Sequence, residues 1–295
     1  MSTTIRVPDW RFVKDGEVKR VNTQLSPEPD FPAPDWSEEF NSLDLTTSSH
    51  TGLWRPNDFW QNINGGYEDF AGTSYNANPN ETSVDINPFS VADSVLTITC
   101  IRTPANKVEA IRSSMSSQGQ GTNVPNWVGG ILITDPNTKY FKYGYFETKA
   151  RFPVLGKGMF PAIWLFRAPS GEEVAGKESA ELDIFEIFGY GSGNPVSISV
   201  HGSLQSTIHN YNVDVTQWHR YAMDWQPTYI RFYLDEVLLI ELTGTDASWF
   251  NTTMGMRLNY SMDAPWFGAQ TSDGSTPSTL TMQVDYVRQW NTNPY

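Results

Sequence analysis

The sequence predicts an all-β protein, a two-sheet antiparallel β-sandwich of the jelly-roll type. Short segments in which apolar and polar residues alternate recur along the chain, and each ends at Asn, Asp, Gly or Pro. That pattern is typical of antiparallel strands with one wetter face. No long segment keeps a helical period, and residues 106–115 are the one weak helix candidate. Two sheets packed face to face would bury the apolar sides of such strands.

Four segments show the alternation clearly: residues 96–100, 146–150, 230–234 and 280–284. Because successive side chains of a strand point to opposite faces, each segment directs every second residue toward a core. Cys100 ends the first of them, so we expect a small buried side chain there. A single cysteine forms no internal disulfide, and the fold does not rely on oxidation.

The chain divides into two unequal parts. No Pro-, Gly- or Ser-rich linker interrupts residues 34–295, which we predict to form a single catalytic β-sandwich domain. Residues 1–33 differ, because a charged stretch at 14–20 precedes prolines that make the chain stiff and extended. We expect this N-terminal extension to be an arm that lies on the surface of the sandwich.

The net charge of −13 argues against nucleic acid or an anionic membrane as a partner. The sequence also shows no run of apolar residues that reads as a signal peptide or as a membrane span. We therefore expect neither kind of partner. We also expect a monomer.

The stretch 180–189 places the acids Glu181, Asp183 and Glu186 inside an otherwise apolar run. Such a run predicts a buried strand. Glu181 and Asp183 then share one face, whereas Glu186 has the opposite parity. One residue bulged out between Asp183 and Glu186 would bring all three acids onto one face. Like charges gathered in this way oppose folding, which indicates a functional site.

Two glutamates on one surface suit the cleavage of a glycosidic bond. One carboxyl group protonates the leaving oxygen, and the other attacks the anomeric carbon or activates a water. A separation of about 5–5.5 Å between the carboxyl groups implies a retaining reaction, and about 6.5–9.5 Å implies inversion. Asp183 could hydrogen-bond Glu181 and raise the pKa of a neighbouring acid by repulsion. The spacing permits the retaining geometry and leaves the separation open.

The stretch ELDIFE at 181–186 resembles the catalytic signature of glycoside hydrolase family sixteen, in the six-residue form of its β-bulge branch. That branch contains laminarinases, agarases and carrageenases. Further segments resemble the family's motifs in the family's order: WSEEFN at 36–41, YGYFETKAR at 143–151, GMFPAIWL at 158–165, WHRYAMDW at 218–225 with the strand that follows it, and VDYVR at 284–288. The resemblance covers residues 34–292.

The resemblance implies a concanavalin A-like jelly roll with a substrate cleft on its concave sheet. It also implies a retaining endo-β-glycanase acting on a polysaccharide, with Glu181 as nucleophile, Asp183 as assisting residue and Glu186 as acid/base. Trp164 matches a tryptophan that stacks on sugar, and His201 matches a histidine near the acid/base. We expect a β-1,3-containing glucan as the substrate.

Two departures from the family keep other substrates open. Phe160 stands where glucan-active members usually have Trp, and residues 126–130 replace a Tyr-Thr-Ser-Gly stretch. The alternatives are a hydrolase of a galactan or of a bacterial exopolysaccharide, or a transglycosylase, on the same scaffold. A non-catalytic lectin is a further alternative from another class.

Several residues in polar, turn-like surroundings are candidates for sugar contact. Flat aromatic faces suit the C–H faces of a pyranose, and polar groups beside them supply hydrogen bonds. The aromatic candidates outside the family motifs are Trp54, Trp60, Trp127 and Trp266, and the polar candidates are Asn259, Arg257, Asn62 and Tyr75.

The resemblance also bears on metals and on location. Glu39 and Asp285 match positions that often hold a structural calcium, and hard oxygen ligands suit that ion. The chemistry itself requires no cofactor. Family members are usually exported, so we expect an extracellular or periplasmic protein, although no signal peptide is visible in this chain.

Overall fold

The structure is a computed structural model that describes residues 10–14, 17–21, 32–58, 62–68, 73–167, 176–177, 179–189, 195–202 and 207–295. About half of these residues lie in strands. The strands are β1 Trp10–Lys14, β2 Glu17–Val21, β3 Trp36–Glu38, β4 Trp54–Arg55, β5 Tyr67–Glu68, β6 Ser74–Asn76, β7 Phe89–Ala92, β8 Val95–Arg102, β9 Trp127–Thr134, β10 Gly144–Val154, β11 Met159–Arg167, β12 Glu181–Ile187, β13 Pro195–His201, β14 Thr207–Asn212, β15 His219–Gln226, β16 Tyr229–Leu234, β17 Val237–Thr243, β18 Met254–Met262 and β19 Thr279–Trp290.

Most of the strands form two antiparallel sheets, while the short β6 pairs with β9 in parallel. The first, called the site sheet below, has the order β4–β9–β18–β11–β12–β13–β14. The second, called the back sheet, has the order β7–β8–β19–β10–β15–β16–β17, with β3 pairing the end of β19. Strand β9 joins them, because its first residues pair with β8 and its later residues pair with β18. The predicted two-sheet antiparallel fold is confirmed.

The main hydrophobic core draws residues from both sheets. Leu182 and Phe185 of β12 are fully buried in it, as are Phe146 of β10 and Met223 of β15. Phe185 lies 4.4 Å from Tyr221 of the back sheet, measured between ring centroids. Residues of β12 that face away from the acids thus anchor this strand against the opposite sheet.

The segments predicted from alternation all lie in strands: 96–100 in β8, 146–150 in β10, 230–234 in β16 and 280–284 in β19. Cys100 is buried, as expected. The predicted helix is α1, Val108–Ser117, which follows a 3₁₀ turn at Ala105–Lys107. The other helical elements are α2, Gly244–Ser248, and a 3₁₀ segment, Pro265–Gln270.

The N-terminal extension contains an antiparallel hairpin of β1 and β2, which the proline-rich sequence did not predict. Most of the remaining residues of the predicted arm lie outside the described parts of the chain. Within the described parts, no helix combines the length and the apolar character needed to cross a bilayer.

Trp54 lies in the core of the site sheet, and its predicted contact with sugar is wrong. The ring is 0% exposed and stacks on Phe40 with a centroid distance of 6.2 Å. Its Nε1 donates a hydrogen bond of 3.0 Å to Glu38 Oε2, which satisfies the buried polar atom. The side chain therefore stabilises the fold.

We predict that Trp54→Ala lowers the free energy of unfolding by about 3–5 kcal/mol, because it leaves a large cavity and an unpaired Glu38 oxygen. Urea denaturation followed by fluorescence measures this difference. Tyr140→Ala is the control, since Tyr140 is 44% exposed and its loss should change stability by less than about 0.5 kcal/mol. Equal effects of the two substitutions would contradict the core assignment.

Candidate functional site

A β-bulge in β12 brings the three acids onto one face. Asp183 pairs with Trp164 of β11, while Phe185 pairs with the adjacent Ile163, so Ile184 is the extra residue. The register with β13 shifts over the same interval. Ile184 turns into the core, and the acid side chains face the same way as Trp164. The bulge predicted from the parity of the acids is confirmed.

The acids line a cleft of ≈ 330 Å³ on the outer face of the site sheet. Predicted and unpredicted residues meet there. The cleft is lined by Asp58, Tyr67, Asn76, Ile131, Phe160, Ala162, Trp164, Phe166, Glu181, Asp183, Glu186, Arg257, Asn259 and Ser261. Strands β11, β12 and β18 supply most of these side chains, because they lie side by side in the sheet.

Glu186 is the most strongly perturbed glutamate of the cleft. It is 7% exposed, and burial followed by the charge of Asp183 raises its pKa well above the usual range. Ser199 Oγ on β13 donates a hydrogen bond of 2.8 Å to Glu186 Oε2, which lowers the pKa in part. Desolvation favours the neutral acid, so Glu186 holds a proton at higher pH than an ordinary glutamate does.

Asp183 is buried deeper, with 1% exposure. Burial and the nearby charge of Glu181 raise its pKa well above the usual range. Its Oδ2 has no hydrogen-bond partner among the described residues, so this oxygen does not make the predicted hydrogen bond with Glu181. His201 Nε2 lies 3.3 Å from it, outside hydrogen-bond geometry.

Glu181 faces the cleft more openly, with 26% of its side chain exposed. Burial raises its pKa, and the electrostatic interactions with His201 and Arg257 oppose that rise. His201 Nε2 lies 4.0 Å from Glu181 Oε1, so the histidine is beside the first two acids. The resemblance placed His201 near the acid/base, and the structure places it closest to Asp183. Of the two glutamates, Glu181 is the better candidate for an ionised carboxylate.

Trp164 is held by two polar neighbours from β18. Its Nε1 donates a hydrogen bond of 2.7 Å to Asn259 Oδ1. The guanidinium of Arg257 lies 4.8 Å from the Trp164 ring centroid and 4.8 Å from that of Phe166. Arg257 also donates to Asp58 Oδ2 at 2.8 Å. The cleft therefore presents a half-buried aromatic surface whose orientation is fixed by packing.

Phe160 lies at another part of the cleft wall and is largely buried. Its ring contacts Phe188 at 5.7 Å and Phe267 at 5.4 Å between centroids. Ala264 completes this small apolar cluster. The phenylalanine that replaces the family's usual tryptophan therefore packs into the protein on one side and meets the cleft on the other.

Trp127 and Tyr75, both candidates for sugar contact, are fully buried, so these two predictions are wrong. Trp127 Nε1 donates to Asp263 Oδ2 at 2.9 Å, and Arg102 covers the ring at 4.2 Å from its centroid. The Tyr75 hydroxyl donates to Glu81 Oε2 at 2.7 Å.

The other candidates lie elsewhere. Asn62 is exposed beside Gln118, away from the residues that line the cleft. Trp60 lies outside the described residues, and for Trp266 the structure describes the backbone alone.

Sequence reasoning missed half of the residues that line the cleft, among them Asp58 and Phe166, and it also missed Ser199. Phe166 had a signal, because it lies two positions from Trp164 on the same strand and shares its face. Asp58 reaches the cleft through its pairing with Arg257, which is 199 positions away, and no local pattern indicates this.

The predicted calcium ligands do not fit a metal site in this structure. Arg288 donates to both oxygens of Glu39, at 2.8 and 2.9 Å. Lys149 Nζ lies 2.6 Å from Asp285 Oδ2. A calcium ion at these carboxylates would have to displace both cations. Calcium binding therefore stays a prediction, and these two ion pairs argue against it.

Comparison with known proteins gives one family. The family model described as glycosyl hydrolases family 16 matches residues 104–288. Endo-1,3-1,4-beta-glycanase ExsH of Rhizobium meliloti is 29% identical over 269 residues, which are 87% of this chain and 51% of the relative. Keratan-sulfate endo-1,4-beta-galactosidase of Sphingobacterium multivorum is 31% identical over 158 residues, covering 50% of this chain and 36% of the relative. The chain thus spans about half the length of the first of these relatives.

A solved structure supports the fold. The laminarinase from Rhodothermus marinus superposes with a TM-score of 0.64 and 21% identity, over 88% of this chain and 98% of the laminarinase. This likeness shows the jelly-roll architecture of the two sheets.

We predict that Asp183→Asn stabilises the protein at pH 8 and has little effect near pH 4. The folded-state pKa of Asp183 lies above its unfolded value of 3.8, so the stability contributed by the protonated group is lost as pH rises. An amide stays neutral throughout. The expected gain is about 1.4 kcal/mol per unit of raised pKa, measured by urea denaturation at both pH values.

Asp273→Asn is the matched control. Asp273 pairs with Lys157, which lowers its pKa, so removing this charge should give no gain at pH 8. An Asp183→Asn protein that is less stable than the native protein at pH 8 would refute the argument from burial.

Proposed function

The chain belongs to glycosyl hydrolase family 16, and on this premise we propose that it is a retaining endo-β-glycanase that hydrolyses internal β-glycosidic bonds of a polysaccharide. One observation carries the proposal: the bulge at Ile184 places Glu181, Asp183 and Glu186 on one face, inside a cleft that also holds Trp164. Double displacement requires one protonated carboxyl group as the acid and one carboxylate as the nucleophile.

The environments of the two glutamates divide the roles between them. Glu186 is buried, has a raised pKa and donates its proton to the departing glycosidic oxygen. Glu181 is more open, lies near His201 and Arg257, and attacks the anomeric carbon as a carboxylate. Glu186, now ionised, takes a proton from the water that hydrolyses the glycosyl–enzyme ester and thereby releases Glu181.

Asp183 lies between the two glutamates and assists both steps. Its charge contributes to the raised pKa of Glu186, and the charge of Glu181 contributes to the raised pKa of Asp183. A proton gained by one member of the group therefore changes the proton affinity of the others. This coupling supports the return of Glu186 to its acid form after each turnover.

We propose a β-1,3-containing glucan as the substrate. The relative from Rhizobium meliloti is named an endo-1,3-1,4-beta-glycanase, and the structural neighbour is a laminarinase. Trp164 offers a half-buried ring to a pyranose, and Asn259 beside it offers hydrogen-bonding groups. Consistent with such a substrate, we propose a monomer that acts outside the cytoplasm and uses no cofactor.

A galactan or an exopolysaccharide is the second candidate substrate, and Phe160 is the observation that favours it. Its ring packs against Phe188 and Phe267 at the cleft wall, so it is less available for stacking on a sugar than an open ring would be. Similarity to a keratan-sulfate endo-galactosidase points the same way. Transfer to a sugar acceptor instead of water uses the same intermediate.

A panel of polysaccharides with reducing-end detection decides between these substrates. Cleavage of laminarin or mixed-linkage glucan supports the first, and activity confined to agarose, carrageenan or a bacterial exopolysaccharide supports the second. Products longer than the starting oligosaccharide reveal transfer.

Glu181→Ala and Glu186→Gln should each lower kcat by at least about 10²–10⁴-fold, because each removes a group that acts on the reacting bond. Circular dichroism and the melting temperature should show that both variants remain folded. Proton NMR of the first product should show the β-anomer. Normal turnover in either variant, or an α-anomer as first product, would contradict the assignment.

Ser199→Ala should move the basic limb of the pH–rate profile to higher pH. The serine hydroxyl stabilises ionised Glu186, so its loss raises the pKa of this glutamic acid. Glu186 then stays protonated to a higher pH. Ser199→Thr retains a hydroxyl and is the control, with an expected profile close to that of the native protein. A shift to lower pH in the alanine variant would contradict this role of Ser199.

A further inference from the structure

Glu181, Asp183 and His201, on the paired strands β12 and β13, are grouped as ligands of a metal ion would be. The proposed hydrolysis uses the two acids separately and does not need this grouping. Glu181 and His201 are directly opposite each other in the paired strands, and Asp183 is two positions along β12. One carboxylate oxygen from each acid and one imidazole nitrogen all lie within 4.8 Å of one another. His201 Nε2 is 3.3 Å from Asp183 Oδ2 and 4.0 Å from Glu181 Oε1.

These distances are close to those that a small transition metal ion requires. Zinc binds imidazole nitrogen and carboxylate oxygen at about 2.0–2.2 Å. Two ligands of a tetrahedral site with such bonds lie roughly 3.3–3.6 Å apart. The separations of 3.3 and 4.0 Å here need side-chain movements of less than about an ångström to meet that geometry.

A second observation points to a ligand at the same place. Asp183 Oδ2 is buried and has no hydrogen-bond partner among the described residues, although it faces the imidazole of His201. A buried carboxylate oxygen without a donor is rare in folded proteins, and an ion or water commonly accounts for such an atom. The oxygen is thus available as a metal ligand.

The site is also accessible from the cleft. The side chains of Glu181 and His201 are 26% and 32% exposed, so an ion can approach from solvent while Asp183 closes the site from below. Arg257 is the nearby cation that would repel a metal ion, and Asp58 pairs with it at 2.8 Å. The carboxylates of this part of the cleft therefore outweigh the one guanidinium.

We propose that Glu181, Asp183 and His201 form a binding site for a divalent transition metal such as Zn²⁺, with water as the fourth ligand. A mixed imidazole and carboxylate set suits zinc and its neighbours better than Mg²⁺ or Ca²⁺, which take oxygen ligands. A metal bound there ties up the carboxylate of Glu181. Metal and polysaccharide then exclude each other, so the ion acts as a reversible inhibitor. Metal binding stands alone, whereas the inhibition rests on the proposed function.

Titration of the purified chain with ZnCl₂ tests the binding, followed by calorimetry and by the melting temperature. We expect one Zn²⁺ ion bound per protein chain and a rise in melting temperature, with no comparable response to MgCl₂. His201→Asn should weaken the affinity by more than about tenfold, since even loss of an outer partner of a metal ligand costs about 10–100-fold.

His50→Asn is the matched control. His50 Nδ1 also lies close to a buried aspartate, 3.4 Å from Asp135 Oδ2, but no third acid is grouped with them among the described residues. Its substitution should leave zinc binding unchanged. Absence of zinc binding, or zinc binding that is unchanged in His201→Asn, would overturn the proposal.

The inhibition has its own measurement. With a cleaved polysaccharide, Zn²⁺ should raise KM with little change in kcat, and a chelator should restore the rate. The ratio of rates with and without Zn²⁺ should lie closer to one in His201→Asn than in the native protein. Zinc binding through His201 in a chain that cleaves no polysaccharide would support the metal site and refute the function. Cleavage of a polysaccharide without zinc binding would support the proposed function and refute the metal site.

Discussion

Burial of three carboxyl groups on one face of an apolar strand is the constraint on which the rest of this structure depends. Carboxylates taken out of water lose solvation, and their mutual repulsion adds to that cost. Strand β12 tolerates them because its other face is filled with core residues. Leu182, Ile184 and Phe185 are buried against the back sheet, so the strand stays in place while its acids face the cleft.

Few polar or charged groups stabilise the ionised forms of the three acids. Ser199 gives Glu186 one hydrogen bond, and His201 and Arg257 act on Glu181 through charge. Asp183 has the least support, since its Oδ2 is without a hydrogen-bond donor among the described residues. The pKa values of the three acids are raised because these stabilising partners are few. A site whose acids were fully hydrogen-bonded would be more stable and would hold its protons less readily.

Much of this arrangement could be predicted, and the failures have a common physical cause. The parity of Glu181, Asp183 and Glu186 is a local property of one strand, so it predicted the bulge correctly. The burial of Trp54 and Trp127 is not local. Glu38 and Asp263, which accept their hydrogen bonds, are 16 and 136 positions away. Polar neighbours in sequence resemble an exposed turn until the rest of the chain packs around them.

The position of the last strand has a consequence for how the protein is made. Strand β19 lies between β8 and β10 in the back sheet, and Leu280 pairs with Cys100 across 180 positions of chain. At about 5–20 residues per second, a ribosome takes roughly 10–40 s to synthesise that interval. During this time β8 has an open edge where β19 will pair, and exposed strand edges invite aggregation. The pairing of β19 with β8 therefore closes this edge only late in synthesis.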